Sequence, residues 1–183
     1  MAKTSNAASE LSPKYAVMGF LYLHPMHGYE LHKHLAADLY EVWHISQSQA
    51  YNILKHLEKE NFVTLSHQAQ EKRPDKELLT LTNAGRTAFE TWLYTPTPGS
   101  ARAIRVEFIS RLFFASQINT SLCTRLIEEQ TKTIQAHLRN LRARLSLIPP
   151  AQVFNRMGLD LRIRQLEGIL DWMEKSAEYF RGE

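Results

Sequence analysis

Cysteine is almost absent from this chain: Cys123 stands alone among 183 residues, so no intrachain disulfide can form. That excludes a small secreted scaffold stapled by bridges. Glycine and proline are held to seven each, and neither a low-complexity tract nor a solenoid-period repeat is present. No apolar run approaches the roughly 18 residues of a membrane span. Ala16 to Leu23 is apolar, but no small-residue cleavage site follows it, so a signal peptide is not expected. Also missing are a Gly-rich phosphate loop, a Gly-x-Ser-x-Gly elbow and a zinc quartet, so neither an enzyme, a cofactor nor a metal is expected. Seven of the eight histidines fall between His24 and His67, yet none has ligand spacing: Pro25 separates His24 from His27. A soluble, cytoplasmic protein is the expectation.

What is present is an ordinary globular composition, 44% hydrophobic and 22% charged, with a net charge of +3. The excess is uneven. Residues 1–95 carry 9 basic and 10 acidic side chains, and residues 96–183 carry 13 and 9. A nucleic-acid function would therefore have to come from geometry more than from bulk charge. Thr95-Pro96-Thr97-Pro98-Gly99-Ser100 cannot continue a helix and marks a boundary. The expected organisation is a first domain over 1–95, a linker over 96–101 and a second domain over 102–183.

In the first domain, Ser12 before Pro13 predicts a helix start, with the helix running through Val17 and Leu21 and ending before Pro25. A second helix begins near Gly28. Ser46-Gln47-Ser48-Gln49 is a capping box, the strongest start signal in the chain. Behind it Ala50, Ile53, Leu54 and Leu57 form one buried stripe, and Asn61 suits a left-handed close. Phe62 to Ser66 and Leu78 to Leu81 read as strands of a hairpin with a basic tip, after which Thr82 caps a fourth helix. Helices, hairpin and helix in that order make a winged helix-turn-helix. The fold class is thus mainly α with a small β-hairpin wing. A short helix with polar and basic residues on its outer face fits the DNA major groove. The candidate DNA contacts are Gln47, Ser48, Gln49, Tyr51, Asn52, Lys55 and His56, with Lys72, Arg73 and Lys76 of the hairpin facing phosphates.

In the second domain Ile127, Ile134, Leu141 and Ile148 recur every seven residues, with Leu138 and Leu145 at alternate positions. After Pro150, Leu159, Ile163, Leu166, Leu170, Met173, Ala177 and Phe180 alternate in steps of four and three. Two heptad arms joined at a double proline read as an antiparallel, coiled-coil-like hairpin. Ile169 and Trp172 widen the stripe beyond what one partner helix covers, which predicts a homodimer with these residues in its core. Its two heads would lie about one duplex turn (~34 Å) apart. Trp43, Trp92, Phe108 and Trp172 are candidates for lining a pocket for a small aromatic effector, with core packing as the alternative.

Several of these segments resemble the PadR family of bacterial transcriptional regulators. They are His27-Gly28-Tyr29-Glu30-Leu31, then Tyr51 to Glu60, and Leu81-Thr82-Asn83-Ala84-Gly85. Arg105-Val106-Glu107-Phe108 and Leu112-Phe113-Phe114-Ala115 are similar to the start of the C-terminal domain in the family's longer-chain branch, which includes virulence-gene regulators. The resemblance spans most of residues 12–180. It implies a homodimeric, sequence-specific binder of double-stranded DNA, most often a repressor, with Tyr29 and Tyr51 on the DNA-facing surface. It also implies responses to phenolic acids or planar drugs in some members. From the residues alone a winged-helix module that holds a protein partner, without specific DNA binding, stays open beside it.

Overall fold

The computed structural model of the chain describes residues 11–68 and 76–180. These fall into two compact units that divide between Thr95 and Pro96.

The first unit is a winged helix-turn-helix with the order α1 (Lys14–Leu23), β1 (Met26–His27), α2 (Gly28–Asp38), α3 (Gln47–Lys59), β2 (Val63–Gln68), β3 (Lys76–Leu81) and α4 (Asn83–Tyr94). Helix α1 is buried without interruption from Ala16 to Leu21. A helix apolar on all sides has to be central, and α2, α3 and α4 pack around it. It starts one residue later than expected: Pro13 is its cap residue, and Ser12 Oγ accepts only a long bond, 3.4 Å, from the Lys14 amide. The sheet has three strands in the order β1-β3-β2, all antiparallel. The two-residue β1 was not foreseen. It pairs Met26 with Leu79 on the far side of β3 from Leu65, and so ties the start of α2 to the wing.

Local signals set the helix ends. The Ser46–Gln49 box closes in both directions, the Ser46 amide donating to Gln49 Oε1 at 2.8 Å and the Gln49 amide to Ser46 Oγ at 3.3 Å. Asn61 takes the left-handed conformation at φ 58°. Thr82 Oγ1 then donates to the Asn61 carbonyl at 2.7 Å and accepts from the Gly85 amide at 3.0 Å, which fastens the start of α4 to the end of α3. This junction leaves no room for a side chain at Gly85, where a Cβ would sit 2.2 Å from the Phe62 carbonyl oxygen. Because that obstacle is backbone, Gly85→Ala is expected to cost about 2 kcal/mol, within the range of overpacking. A denaturant midpoint equal to that of the wild type would contradict the close approach.

The second unit contains α5 (Ala101–Ala103), a π-helical turn (Ile104–Phe108), α6 (Ile109–Ile118), α7 (Thr120–Leu147) and α8 (Val153–Ala177), closed by a 3-10 turn (Glu178–Phe180). The helical segment 101–118 is an addition to the two arms expected from the heptads. It packs on the first half of α7 and buries Ile104, Phe108, Phe114 and Ala115. It also buries an ion pair, Arg111 Nη2 lying 3.8 Å from Glu107 Oε2, with both side chains about 5% exposed or less.

The 96–101 segment, read from sequence as a linker, is fastened to this unit. The Thr97 amide donates to Gln130 Oε1 and the Thr97 carbonyl accepts from Gln130 Nε2, both at 2.8 Å and both buried. A buried amide side chain that copies a backbone pair has no periodic signature. Cys123 is fully buried beneath α6, its thiol donating to the Leu112 carbonyl. Burial pushes that thiol up to about 11. A protonated, covered thiol is not a nucleophile, so Cys123 is expected to stay unlabelled by a thiol reagent at pH 8 until the chain is unfolded. Fast labelling of the native protein would contradict its burial.

Helices α7 and α8 pair along their length, and Arg156 closes the turn between them by donating to the carbonyls of Ile148 at 2.8 Å and Leu145 at 3.3 Å. The heptad residues lie on the seam of this pair. Ile127, Ile134, Leu138, Leu141, Leu159, Ile163, Leu166, Met173 and Ala177 are buried within the single chain, while Leu145, Leu170 and Phe180 are half-buried. Most of this stripe closes the chain's own antiparallel hairpin. A heptad pattern states that a helix has a partner without stating which chain the partner belongs to. One group of exposed apolar side chains lies at the hairpin tip. Leu147 and Phe154 are 81% and 86% exposed, with Val153, Met157 and Leu161 beside them in sequence register. Among the described residues no helix is long and apolar enough to cross a membrane.

Candidate nucleic-acid interface

Helix α3 turns one face inward and offers the other. Ala50, Leu54 and Leu57 are buried and Ile53 is half-buried, whereas Gln47, Ser48, Gln49, Tyr51, Asn52, Lys55, His56 and Lys59 are all exposed. Ser48, Asn52, Lys55 and Lys59 follow one another at spacings of four, three and four, a single outward stripe. Gln49 differs from its neighbours because its side-chain oxygen is engaged in the capping box. It is a helix-start residue as well as a candidate contact.

The remaining candidates divide to either side of this stripe. Toward the wing, Tyr29, Tyr51 and Lys55 share a groove of about 490 Å³ with His27, Leu65 and Leu79. Toward α1, Asn52 and His56 line a second depression with Ser12, Lys14 and Tyr15, where Lys14 Nζ lies 3.8 Å from Glu60 Oε2. The wing groove has a fixed floor. His27 donates from its backbone amide to Glu30 Oε2 at 3.0 Å and from Nδ1 to the Glu77 carbonyl at 2.8 Å. A carbonyl can only accept, so Nδ1 carries the ring proton. Lys72 and Arg73 lie outside the described residues. Lys76 opens β3, and its side chain also lies outside them.

Gly28 and Lys14 also line this surface and were not among the sequence candidates for DNA contact. Gly28 precedes Tyr29 directly, but its role depends on β1, and Lys14 reaches α3 only through tertiary packing. Among the described residues no group of three or more His, Cys, Asp or Glu is placed to hold a metal ion.

The residues proposed for an effector pocket are not gathered within either unit. Trp92 lies flat on Tyr15, ring centroids 5.1 Å apart at 5°, in the aromatic layer between α1 and α4 that also holds Phe89. At the other end of that layer Tyr22 donates to Glu90 Oε1 at 2.9 Å; burial, then the Glu90 carboxylate, raises its phenol above the ordinary range. Phe108 is in the core of the second unit, Trp172 is exposed on α8 and Trp43 is half-buried in the turn after α2. The alternative of core packing accounts for Trp92 and Phe108, because large rings with flat apolar neighbours are taken up first by the nearest core.

Comparison with known proteins agrees with the order of the two units. Residues 17–91 match the transcriptional regulator PadR-like family, and residues 104–181 match the virulence activator alpha C-terminal family. The negative transcriptional regulator PadR of Bacillus subtilis is 29% identical over 130 residues, which cover 70% of this chain and 70% of that protein. The crystal structure of Bacillus subtilis PadR in complex with operator DNA is 24% identical, with 91% of this chain and 98% of that one covered at a TM-score of 0.43. The Vibrio cholerae virulence activator AphA is 21% identical, with 92% and 97% covered at a TM-score of 0.41. A winged helix-turn-helix similar to the transcriptional regulator PadR-like family is thus followed by a helical unit similar to the virulence activator alpha C-terminal family.

Proposed function

We propose that this protein is a homodimeric transcriptional repressor that reads double-stranded DNA with α3, the first unit serving as the reading head and the second as the dimerisation domain. The observation that carries this reading is α3 itself: a capped helix of 13 residues, buried along one side and presenting hydroxyl, amide, phenol and lysine groups along the other. These are the groups that donate to and accept from base edges, and a helix of this girth fits the major groove. The wing lies beside it, where Lys72, Arg73 and Lys76 would follow the neighbouring phosphates. Repression is the sense supported by the name of the Bacillus subtilis relative. Dimerisation is supported by the apolar tip of the helical hairpin, since contiguous exposed apolar patches mark association surfaces.

Selection of duplexes from a random-sequence pool, followed by titration at several salt concentrations, tests the reading. Log affinity is expected to fall linearly with log salt as phosphate-bound counterions are released. Tyr51→Ala and Asn52→Ala are each expected to weaken binding to the selected duplex by about 1–3 kcal/mol, the value of a base contact, with thermal stability unchanged because both side chains are outside the buried stripe. Failure to enrich any duplex sequence would sink the proposal.

A further inference from the structure

Helix α2 starts directly beneath an aromatic ring of α3. A Cβ placed on Gly28 would stand 2.9 Å from Tyr51 Cε1 and 3.2 Å from both Cζ and Oη. The ring of Tyr51 therefore lies across the backbone of Gly28, in space that every other residue would fill. Tyr51 is nevertheless 40% exposed, so the same ring that rests on Gly28 also faces solvent on the candidate DNA surface.

Gly28 and Gly85 differ in what obstructs them. At Gly85 the obstacle is a backbone carbonyl, which cannot move without moving a strand. At Gly28 it is the outer end of a side chain with an open flank. A methyl group added there turns the ring and leaves the helices in place. The platform under the ring is itself anchored, since His27 is paired to Leu78 in the sheet and its ring is bonded to the Glu77 carbonyl. With the backbone at 27–28 tied to the wing, the direction of the Tyr51 phenol is set by the missing side chain at 28.

We propose that Gly28 is a positioning residue that aims the Tyr51 phenol into the DNA groove and so contributes to sequence preference, while adding nothing to fold stability. This role rests on the reading of α3 as the DNA-reading helix. Gly28 touches no base; it acts through Tyr51.

The test uses the full chain carrying Gly28→Ala, Tyr51→Ala or both, the strongest duplex that the wild type selects from a random pool, and a scrambled duplex of the same length. Gly28→Ala is expected to weaken binding to the selected duplex about tenfold, the lower end of what one lost base contact costs, and to leave the scrambled duplex within about twofold. Its thermal midpoint should equal that of the wild type. In the Tyr51→Ala background, Gly28→Ala should have no further effect, as expected of two residues acting through one contact. Without DNA, the Gly28 α-protons should show a ring-current displacement that disappears in Tyr51→Ala. Selected-duplex affinity unchanged by Gly28→Ala, additive losses, equal losses on both duplexes, or a lowered midpoint would each overturn the role. If the wild type enriches no duplex while the ring-current displacement is present, the DNA-reading function fails and takes this role with it, the contact alone surviving.

Discussion

Replacing Arg111 by methionine is expected to destabilise the protein by about 4 kcal/mol, the cost of leaving one member of a buried ion pair without the other. The pair lies in the π-helical turn and the helix after it, with Glu107 and Arg111 one turn apart and both withdrawn from water. Removing the guanidinium keeps the Glu107 carboxylate in a poorly solvating core while taking away the cation that faces it. The double variant Glu107→Leu, Arg111→Met should return to within about 1 kcal/mol of the wild type, since an apolar pair of similar volume asks for no desolvation of charge. Unfolding in urea, analysed by linear extrapolation for the four members of the cycle, measures both. A single variant as stable as the wild type, or a double variant as weak as the single, would show that this ion pair is not what holds segment 101–118 on α7.

Introducing glutamate at both Phe154 and Met157 is expected to leave a folded monomer. Both side chains stand in solvent, Phe154 almost completely, so the exchange costs the isolated chain little. In a dimer built on the hairpin tip it would bury four unpaired carboxylates, each far too costly for an interface of ordinary size. If the protein is the proposed dimer, sedimentation should show the dimer mass for the wild type and the monomer mass for this variant. Operator affinity should fall about a hundredfold or more, because two heads held together gain effective concentration that one head lacks. The contrasting variant is Leu166→Asp. Leu166 is buried between α7 and α8, and this change should unfold the hairpin itself. If the glutamate variant remained a dimer, the tip would not be the subunit contact, and the half-buried Ile169 and Leu170 with exposed Trp172 would be the next surface to alter.

The elements that could be read directly from sequence share one property: their signals span only a few residues. Ser46 and Gln49 find each other because a helix start brings positions three apart together, and Asn61 and Thr82 close and open helices for equally local reasons. The outward stripe of α3 was legible in the same way, as the complement of Ala50, Leu54 and Leu57. Segment 101–118 was not legible, because its core includes a glutamate and an arginine that only a partner makes tolerable in the interior. Strand β1 consists of two residues, too short for any periodicity, and exists only where β3 offers an open edge to pair with.

By itself the sequence determined the type and order of most elements, the ends of α3 and α4, the face of α3 that looks outward and the presence of a long helical hairpin, since hydrophobic period and capping chemistry act within one or two turns. Tertiary structure alone decided which surfaces remain for others. It turned the heptad stripe inward on its own chain, left the hairpin tip uncovered, drew Thr97 onto Gln130 and laid Tyr51 across Gly28. Those outcomes depend on competition among distant groups for the same buried space, and the nearest apolar partner in three dimensions is not encoded in any short run of residues.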